Sequence, residues 1–412
     1  MNLTIEGLIG KVRLGDLHPV RVMGVINLSR ESFYEESVAG EGAVLERALS
    51  FAKEGAEVLD LGAVSTAPGS PSISEEEERR RLFPALEVVL DGVEGEVTIS
   101  VDTQRAKIAD EVLSMGASCI NDVSGLLDPE MARTVADHDG SIIIMASKKR
   151  PGDILEMGDI VASLGNRLKD AAEAGVSTKK VTVDPGIGHW TPPKGPGHDL
   201  AILDGLSRLR VLNRPVMAAV SRKSFIGAVL KRQNPAERLQ GSLAATAIAV
   251  YNGAHLVRTH DVAASLETIR MAEAVRGGPA SSGTGGKIEV EVFAHSGHPR
   301  DLSWTFAQLG VGEDGARALS GKGSFRALSL RGLTSMEAIV IKQEMLARGG
   351  DAAIPMGALR CDPGDMEVLV MGTAAQVRGL VKNLLGQPFN LPAVAGAVEE
   401  ALERLEDPER YW

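Results

Sequence analysis

Eight short runs rich in β-branched residues recur along the first part of the chain, and each one closes on polar or charged side chains. Helix-like stretches such as EGAVLERALSFAKEGAE lie between them. Strands alternating with helices at intervals of roughly thirty residues predict a closed (β/α)8 barrel, in which the carboxyl ends of all strands meet at one face. The runs end at Asn27, Asp60, Asp102, Asn121 with Asp122, Ser147, Asp184, Arg222 with Lys223, and Arg258 with His260.

The chain has 412 residues, which is long for a single domain and predicts two. The stretch GGPASSGTGGK at 277–287 is small, polar and rich in glycine, and we interpret it as a flexible linker. The TIM barrel, preceded by a small N-terminal β-hairpin, is therefore expected in residues 1–276. Residues 288–412 are expected to form a smaller C-terminal α/β or α+β domain of unassigned role, in which Thr334 and Glu337 have the spacing of a capping box.

Composition excludes several classes of partner. A net charge of −11 opposes binding to nucleic acid, because the phosphates would meet no basic field. The longest apolar runs, such as LAATAIAV, are too short to span a membrane. The N-terminus has no basic-then-apolar segment, so a cytoplasmic location is expected. Cys119 and Cys361 lie far apart and predict neither a disulfide framework nor a cysteine metal site.

The acidic and basic run EEEERRR at 75–81 looks functional at first sight. Ser74 and Glu77 have the spacing of a helix N-cap, and Glu followed by Arg at helical spacing is typical of a solvated, ion-paired helix face. We therefore interpret the run as an exposed face of a helix and assign it no part in a site.

The last two barrel runs end in SRKS and RTHD, which gather basic groups at neighbouring strand ends. The loops after the seventh and eighth strands commonly bind phosphate in this fold. Arg222, Lys223, Arg258 and His260 would bring two to four positive charges to that place. Arginine can bind an oxyanion through two hydrogen bonds, and lysine adds a mobile point charge. The pattern predicts an anion site there.

The opposite wall offers Asp60, Asp102, Asn121 and Asp184, which would suit a metal, a general base or a heterocycle rich in N–H donors. A divalent-metal cage is disfavoured, because His260 is the one histidine at a strand end and no H-E-x-x-H motif occurs. Carboxylates and an amide facing a lysine fit a guanidine–amide edge. Pterins and purines both present such an edge.

Seven motifs, in this order, resemble the dihydropteroate synthase family of pterin-binding barrels over about residues 20–276. They are GVINLSRESF, LDLGAVSTAPGS, ISVDTQ, INDVSG, VDPGIG, SRKSFIG and VRTHDV. The resemblance implies a transferase that condenses 6-hydroxymethyl-7,8-dihydropterin diphosphate with an arylamine and releases diphosphate, in folate or methanopterin biosynthesis. With its extra C-terminal domain, the chain resembles a divergent member of archaeal or methanogen type.

The resemblance also implies residue roles. The pterin would contact Asp102, Asn121, Asp184 and Lys223, and the arylamine pocket would be bordered by Pro68 and Ser224. The diphosphate would bind Asn27, Thr66, Arg258 and His260, with Mg2+ bridging it to Asn27. A dissociative reaction would use the catalytic set Lys223, Asp102, Asp184, Arg258 and His260. The resemblance further implies a homodimer.

The chain departs from the family pattern on the acceptor side. SRESF replaces the usual Thr-Pro-Asp-Ser-Phe, so Arg30 and Glu31 are changed, and Ala67 stands where an arginine is usual. The sixth run is followed by GHWTPPKGPGHD without the usual Phe-Gly-Lys, and the fifth by SKKRPGD. One hypothesis is that basic loop residues face an acceptor more anionic than 4-aminobenzoate, such as a ribofuranosylaminobenzene phosphate; the other is that they only cover the loops. These residues are Arg30, Lys148, Lys149 and Arg150.

Two other functions stay open at this point. A methyltetrahydropterin:corrinoid methyltransferase also binds a pterin in a barrel, but it has no use for the cluster of Lys223, Arg258 and His260. A catalytically silent pterin-binding protein would fit Ala67 and the altered first loop. Release of diphosphate in the presence of Mg2+ and an arylamine separates a synthase from both.

Overall fold

The computed structural model describes most of the chain and divides it into two compact units, Met1–Phe293 and Ala294–Trp412. Within the described residues, every helix is too short or too polar to cross a lipid bilayer. The described residues are 5–28, 41–64, 73–93, 97–188, 193–276, 282–285, 288–291, 302, 304, 306 and 310–406.

The first unit alternates strands and helices. Its strands are β1 (Glu6–Ile9), β2 (Val12–Gly15), β3 (Arg21–Asn27), β4 (Val58–Gly62), β5 (Thr98–Asp102), β6 (Cys119–Asp122), β7 (Ser141–Met145), β8 (Val181–Asp184), β9 (Met217–Ala218), β10 (Leu256–Thr259), β11 (Ser282–Gly285) and β12 (Ile288–Glu291). Its α-helices are α1 (Glu41–Glu54), α2 (Glu75–Gly92), α3 (Ala106–Met115), α4 (Met131–Asp137), α5 (Met157–Glu173), α6 (Pro196–Asp204), α7 (Ser224–Leu230), α8 (Leu239–Tyr251) and α9 (Val262–Arg276).

Strands β3 to β10 form one parallel sheet in the order β8-β7-β6-β5-β4-β3-β10-β9. The two ends of this sheet meet, because Val183 of β8 forms a parallel bridge with Val216, just before β9. The Val183 amide donates to the Pro215 carbonyl at 2.9 Å. Strands such as β4, β5 and β7 are buried along their whole length, as expected when helices cover a parallel sheet. The predicted (β/α)8 barrel is confirmed.

The predicted N-terminal hairpin is also confirmed, since β1 and β2 pair antiparallel. Its side chains Ile9 and Leu14 are fully buried against residues at the beginnings of the barrel strands. The hairpin therefore closes the amino-terminal end of the barrel and leaves the carboxyl end for a site. The residues that it meets are Met23, Val58, Cys119, Ile143, Met217 and Leu256.

The second unit is a small α+β fold. Its antiparallel sheet has the order β13-β15-β14, and buried residues of its helices form one core with the sheet. The capping box predicted for Thr334 and Glu337 is present at the start of its second helix. The elements are α10 (Glu313–Ser320), β13 (Phe325–Leu333), α11 (Ser335–Leu346), β14 (Asp351–Ala353), α12 (Met356–Arg360), β15 (Met366–Thr373), α13 (Ala374–Leu384) and α14 (Leu391–Glu406).

Part of the predicted linker forms a strand pair with the residues that follow it. Ser282–Gly285, inside the predicted linker 277–287, pairs antiparallel with Ile288–Glu291. The division into compact units falls after Phe293, so that β12 belongs to the first unit. The Gly/Ser composition does not prevent this pairing, because strands pair through backbone N–H and C=O groups, which glycine and serine both carry.

Candidate functional site

The carboxyl ends of the barrel strands bring most of the predicted site residues together. Asn27 ends β3, Asp102 ends β5 and Asp184 ends β8. Asn121 lies within β6, and Arg258 within β10. Hydrogen bonds connect many of these side chains directly, so the predicted constellation is one physical cluster.

Asp60 of β4 is the centre of that cluster. Its Oδ2 accepts from Arg258 Nε at 2.7 Å and from Asn121 Nδ2 at 3.0 Å. Its Oδ1 accepts from Ser100 Oγ at 2.7 Å, and the carboxylate is fully buried. The sequence placed Asp60 on this wall, but only the structure shows that it holds two predicted binding residues.

Asn121 and Asp184 supply acceptors beside this centre. Because Asn121 Nδ2 donates to Asp60, its Oδ1 points elsewhere, and this buried oxygen has no hydrogen-bond partner among the described residues. Buried polar atoms rarely stay unpaired, which indicates a ligand donor. Asp184 Oδ1 accepts from the Gly186 amide at 2.7 Å, and burial raises the pKa of Asp184. Both oxygens suit a partner with N–H groups.

Asp102 provides the third acceptor and is paired with Arg258, whose Nη2 lies 3.0 Å from Asp102 Oδ2. Burial raises the pKa of Asp102, and the charges of Asp60 and Glu78 raise it further, whereas Arg258 opposes them. The guanidinium of Arg258 thus bridges two carboxylates and is fixed in direction. It is the main cation beside the carboxylate wall.

Lys223 follows β9 and lies across the glycine turn after β8. A Cβ at Gly188 would be 2.5 Å from Lys223 Cδ, and the positive φ of Gly188 also requires glycine. Burial lowers the pKa of Lys223 to about 8, and the charge of Arg258 lowers it too, while Asp184 and Asp199 oppose this. Lys223 is therefore a cation at neutral pH that loses its proton in mildly alkaline solution.

His260 is neutral, which corrects its predicted place among the positive charges. Burial lowers its pKa to about 3, and the nearby Arg258 charge adds to the effect. Its Nδ1 lies 3.0 Å from Ser221 Oγ, and its Nε2 lies 3.3 Å from Asn27 Nδ2. A proton on Nδ1 satisfies both contacts, because Nε2 then accepts from the Asn27 amide. The sequence could not show this, since the charge depends on burial.

Arg222, predicted as one of the cations for an anion, is paired with a carboxylate of the neighbouring strand end. Its Nε and Nη2 donate to the two oxygens of Asp261 at 2.9 and 2.5 Å. Arg238 Nη1 donates to the Arg222 carbonyl at 3.0 Å. Arg222 therefore ties the loop after β9 to the loop after β10.

The acceptor side is described in part. Thr66 and Pro68, with the altered loop residues Arg30, Glu31 and Ala67, lie outside the described residues. Ser224 is partly buried and begins α7 directly after the predicted pterin ligand Lys223.

The basic turn after β7 faces solvent. Lys148, Lys149 and Arg150 are exposed, and Lys148 Nζ pairs with Asp159 of α5 at 3.1 Å. Asp153 accepts from the amides of Lys148 and Lys149 at 2.8 and 2.7 Å. The described contacts of this turn are therefore with its own neighbours.

Glu78 was missed, because the run EEEERRR was interpreted as wholly exposed. The N-cap at Ser74 is confirmed, but Glu78 is 1% exposed. It accepts from Thr103 Oγ1 at 2.7 Å and from the Arg105 guanidinium, next to Asp102. Helical periodicity could have predicted the burial of Glu78, because a helix that packs on the barrel turns some residues of such a run toward it.

Comparison with known proteins places these observations in a family. Residues 23–260 match a family described as pterin binding enzyme. The dihydropteroate synthase of Bacillus subtilis (strain 168) is 38% identical over 261 residues, covering 62% of this chain and 88% of the relative. All of the strand-end residues described above lie in or next to the matched range.

Solved structures agree. The dihydropteroate synthase of Xanthomonas albilineans with 4-aminobenzoic acid has a TM-score of 0.59 at 33% identity, covering 67% of this chain and 100% of that one. That of Thermus thermophilus in complex with 6HMPPP has a TM-score of 0.55 at 36% identity, covering 66% and 99%. The chain thus belongs to the pterin binding enzyme family, as a transferase of the dihydropteroate synthase type.

Proposed function

We propose that the chain condenses 6-hydroxymethyl-7,8-dihydropterin diphosphate with 4-aminobenzoate and releases diphosphate, a step of folate biosynthesis. The observation that carries this proposal is the buried oxygen of Asn121, which has no hydrogen-bond partner in the described part of the chain and lies on a strand between those of Asp102 and Asp184. A pterin ring offers N–H donors to such a wall, and its ring carbonyl suits the ammonium of Lys223. The pair of Arg258 and neutral His260 would receive the diphosphate.

Mg2+ is proposed as the cofactor, and the residues present fit it. Asn27 ends β3 beside His260, with its Nδ2 3.3 Å from His260 Nε2, and an amide oxygen is a ligand that hard cations such as Mg2+ accept. The described residues hold no cluster of three or more His, Cys, Asp or Glu for a metal. Asn27 would therefore hold the ion together with diphosphate oxygens and water. When bound, Mg2+ would neutralise charge on the leaving diphosphate.

The mechanism proposed for the protein groups is electrostatic. As the bond from the pterin methylene to the diphosphate oxygen breaks, positive charge spreads into the pterin, where Asp102 and Asp184 stabilise it. Arg258 stabilises the negative charge of the departing diphosphate. The arylamine nitrogen then bonds to the methylene carbon and loses a proton. Asp60 contributes by holding Arg258 in place before the substrate arrives.

The acceptor is proposed to be 4-aminobenzoate rather than the phosphorylated ribofuranosyl amine. The contacts of Lys148 and Asp159 support this, because that cation already has a partner on α5. The bound 4-aminobenzoic acid of the Xanthomonas albilineans relative also supports it.

Turnover with each of the two amines tests the acceptor. The purified chain would receive the pterin diphosphate, Mg2+ and one amine, with diphosphate release and product mass as readouts. We expect clear preference for 4-aminobenzoate and no change in the double variant Lys149→Ala/Arg150→Ala. Preference for the ribofuranosyl amine would overturn this assignment. Pterin binding without diphosphate release would instead favour a silent binding protein.

A homodimer is proposed on the basis of an apolar face formed by α8 and α9. Ile248, Tyr251, Met271 and Val275 are 48%, 58%, 66% and 69% exposed and line a groove of about 560 Å3. Contiguous exposed apolar surface of this kind commonly marks an interface, and identical chains most often pair through one shared patch.

Light scattering tests the dimer. We expect the parent chain to have the mass of two copies and Met271→Asp to have the mass of one, because a buried charge would oppose association. Leu49→Asp, at an exposed leucine on α1 that does not line the groove, is the control and should stay dimeric. A monomeric parent chain would refute the proposal. A cytoplasmic location is proposed as well, and cell fractionation would test it.

A further inference from the structure

A second pair of charges lies behind the site and takes no part in the proposed reaction. Lys194 Nζ is 3.2 Å from Asp199 Oδ1, and both side chains are 0% exposed. Such a pair loses so much hydration that it is a weak source of stability. Its position therefore needs another explanation.

Both members of the pair bind the turn that follows β8. Lys194 Nζ donates to the Gly186 carbonyl at 2.7 Å, and Asp199 Oδ1 accepts from the Gly188 amide at 2.9 Å. The Gly186 amide in turn donates to Asp184. The turn is thus held by hydrogen bonds to both members of the ion pair and by a third to Asp184, the carboxylate that would contact the pterin.

The same turn sets the place of Lys223. Its stem lies on Gly188 so closely that even a methyl group at that position would collide with it. A shift of Gly188 toward Lys223 would therefore displace the stem that carries its ammonium, and a shift of Gly186 would disturb its hydrogen bond with the Asp184 carboxylate. Asp184 and Lys223, which would both contact the pterin edge, therefore depend on the same turn for their positions.

We propose that Lys194 and Asp199 are positioning residues for pterin binding, which hold the 184–188 turn so that Asp184 and Lys223 meet one ring edge. This inference rests on the proposed function. It goes beyond that function because neither residue is among those assigned above to the pterin, the diphosphate or the arylamine. The effect should appear in pterin binding and should spare the affinity for the arylamine.

The test replaces both charges at once with Lys194→Met/Asp199→Leu. Exchange of a buried ion pair for apolar residues of similar volume is often neutral in stability, whereas removal of one partner leaves an uncompensated charge. We expect a folded variant whose Kd for the pterin diphosphate, measured by calorimetry without arylamine, rises at least about tenfold. Its KM for 4-aminobenzoate should be unchanged. The control is Lys180→Met/Asp139→Asn, at an ion pair whose aspartate is mostly exposed, and it should bind the pterin as the parent does.

A folded double variant that binds the pterin diphosphate as tightly as the parent chain would overturn the inference. Asp199→Asn is the second variant, because it keeps both acceptor contacts and the volume but removes the charge. Because the contacts that hold the turn are kept, it should bind the pterin diphosphate more tightly than the double variant does, and a Kd raised as far as in the double variant would count against the proposal. Failure of the proposed function is distinguishable, since the parent chain itself would then release no diphosphate.

Discussion

Lys223→Met is expected to lower kcat/KM for the pterin diphosphate by about 10²–10³-fold, equivalent to about 3–4 kcal/mol of transition-state stabilisation. The substitution removes a charged donor from a partly buried position near Asp184, where water cannot replace it. The fold should persist, because an ammonium in this position is already disfavoured by burial. Steady-state kinetics with saturating 4-aminobenzoate measures the loss.

The pH dependence gives an independent measure of the same group. Because the pKa of Lys223 is lowered to about 8, the ammonium is charged below that pH and neutral above it. In the parent chain kcat/KM, which reports the free enzyme, should therefore fall as the pH rises through about 8. Lys223→Met should lack this decline. Lys53→Met, at an exposed lysine of α1, is the control and should keep both rate and profile. A Lys223 variant with the parent rate and decline would show that the lysine has no such role.

Asp60→Asn is expected to lower the free energy of unfolding by about 3 kcal/mol, at the lower end of the range for a broken buried ion pair. Asp60 is fully buried and Arg258 Nε is 2.7 Å away, so the substitution leaves the guanidinium without its nearest charge partner. Asp102 remains as a second partner, which limits the loss. Urea unfolding at neutral pH measures it.

The matched control is Asp137→Asn, which breaks an exposed ion pair with Arg133 and should change stability by less than about 1 kcal/mol. Pterin binding should weaken in Asp60→Asn as well, because the side chain then has one acceptor oxygen in place of the two that now accept from Asn121, Arg258 and Ser100. Equal stability of Asp60→Asn and the parent chain would contradict the assignment of Asp60 as the charge partner that fixes Arg258.

Much of the barrel could be predicted from the sequence, because strands buried on both faces leave continuous apolar runs. The seventh run was harder to delimit. PVMAAVSRK looked like a full strand, but β9 comprises only Met217 and Ala218, and closure depends on the bridge of Val216 with Val183. Such closure depends on contacts between distant segments, which local periodicity does not record.

For the site, the residue types at the strand ends could be predicted, whereas their partners and charges could not. Arg222 and His260 were both counted as cations for an anion. The structure pairs Arg222 with Asp261 and leaves His260 neutral through burial. Glu78 was placed in solvent and is buried beside Asp102. In each case the outcome depends on neighbours from other βα units.

The three hydrogen bonds to Asp60 have a consequence for how affinity and folding are connected. The contacts with Asp60 fix the directions of Asn121 and Arg258 within the folded chain, so binding need not reorganise them. The cost in conformational entropy of orienting these side chains falls on the folding of the chain and not on ligand binding. A substitution that removes the hydrogen bonds of the Asp60 carboxylate would therefore lower both the free energy of unfolding and the affinity for the ligand, for the same reason.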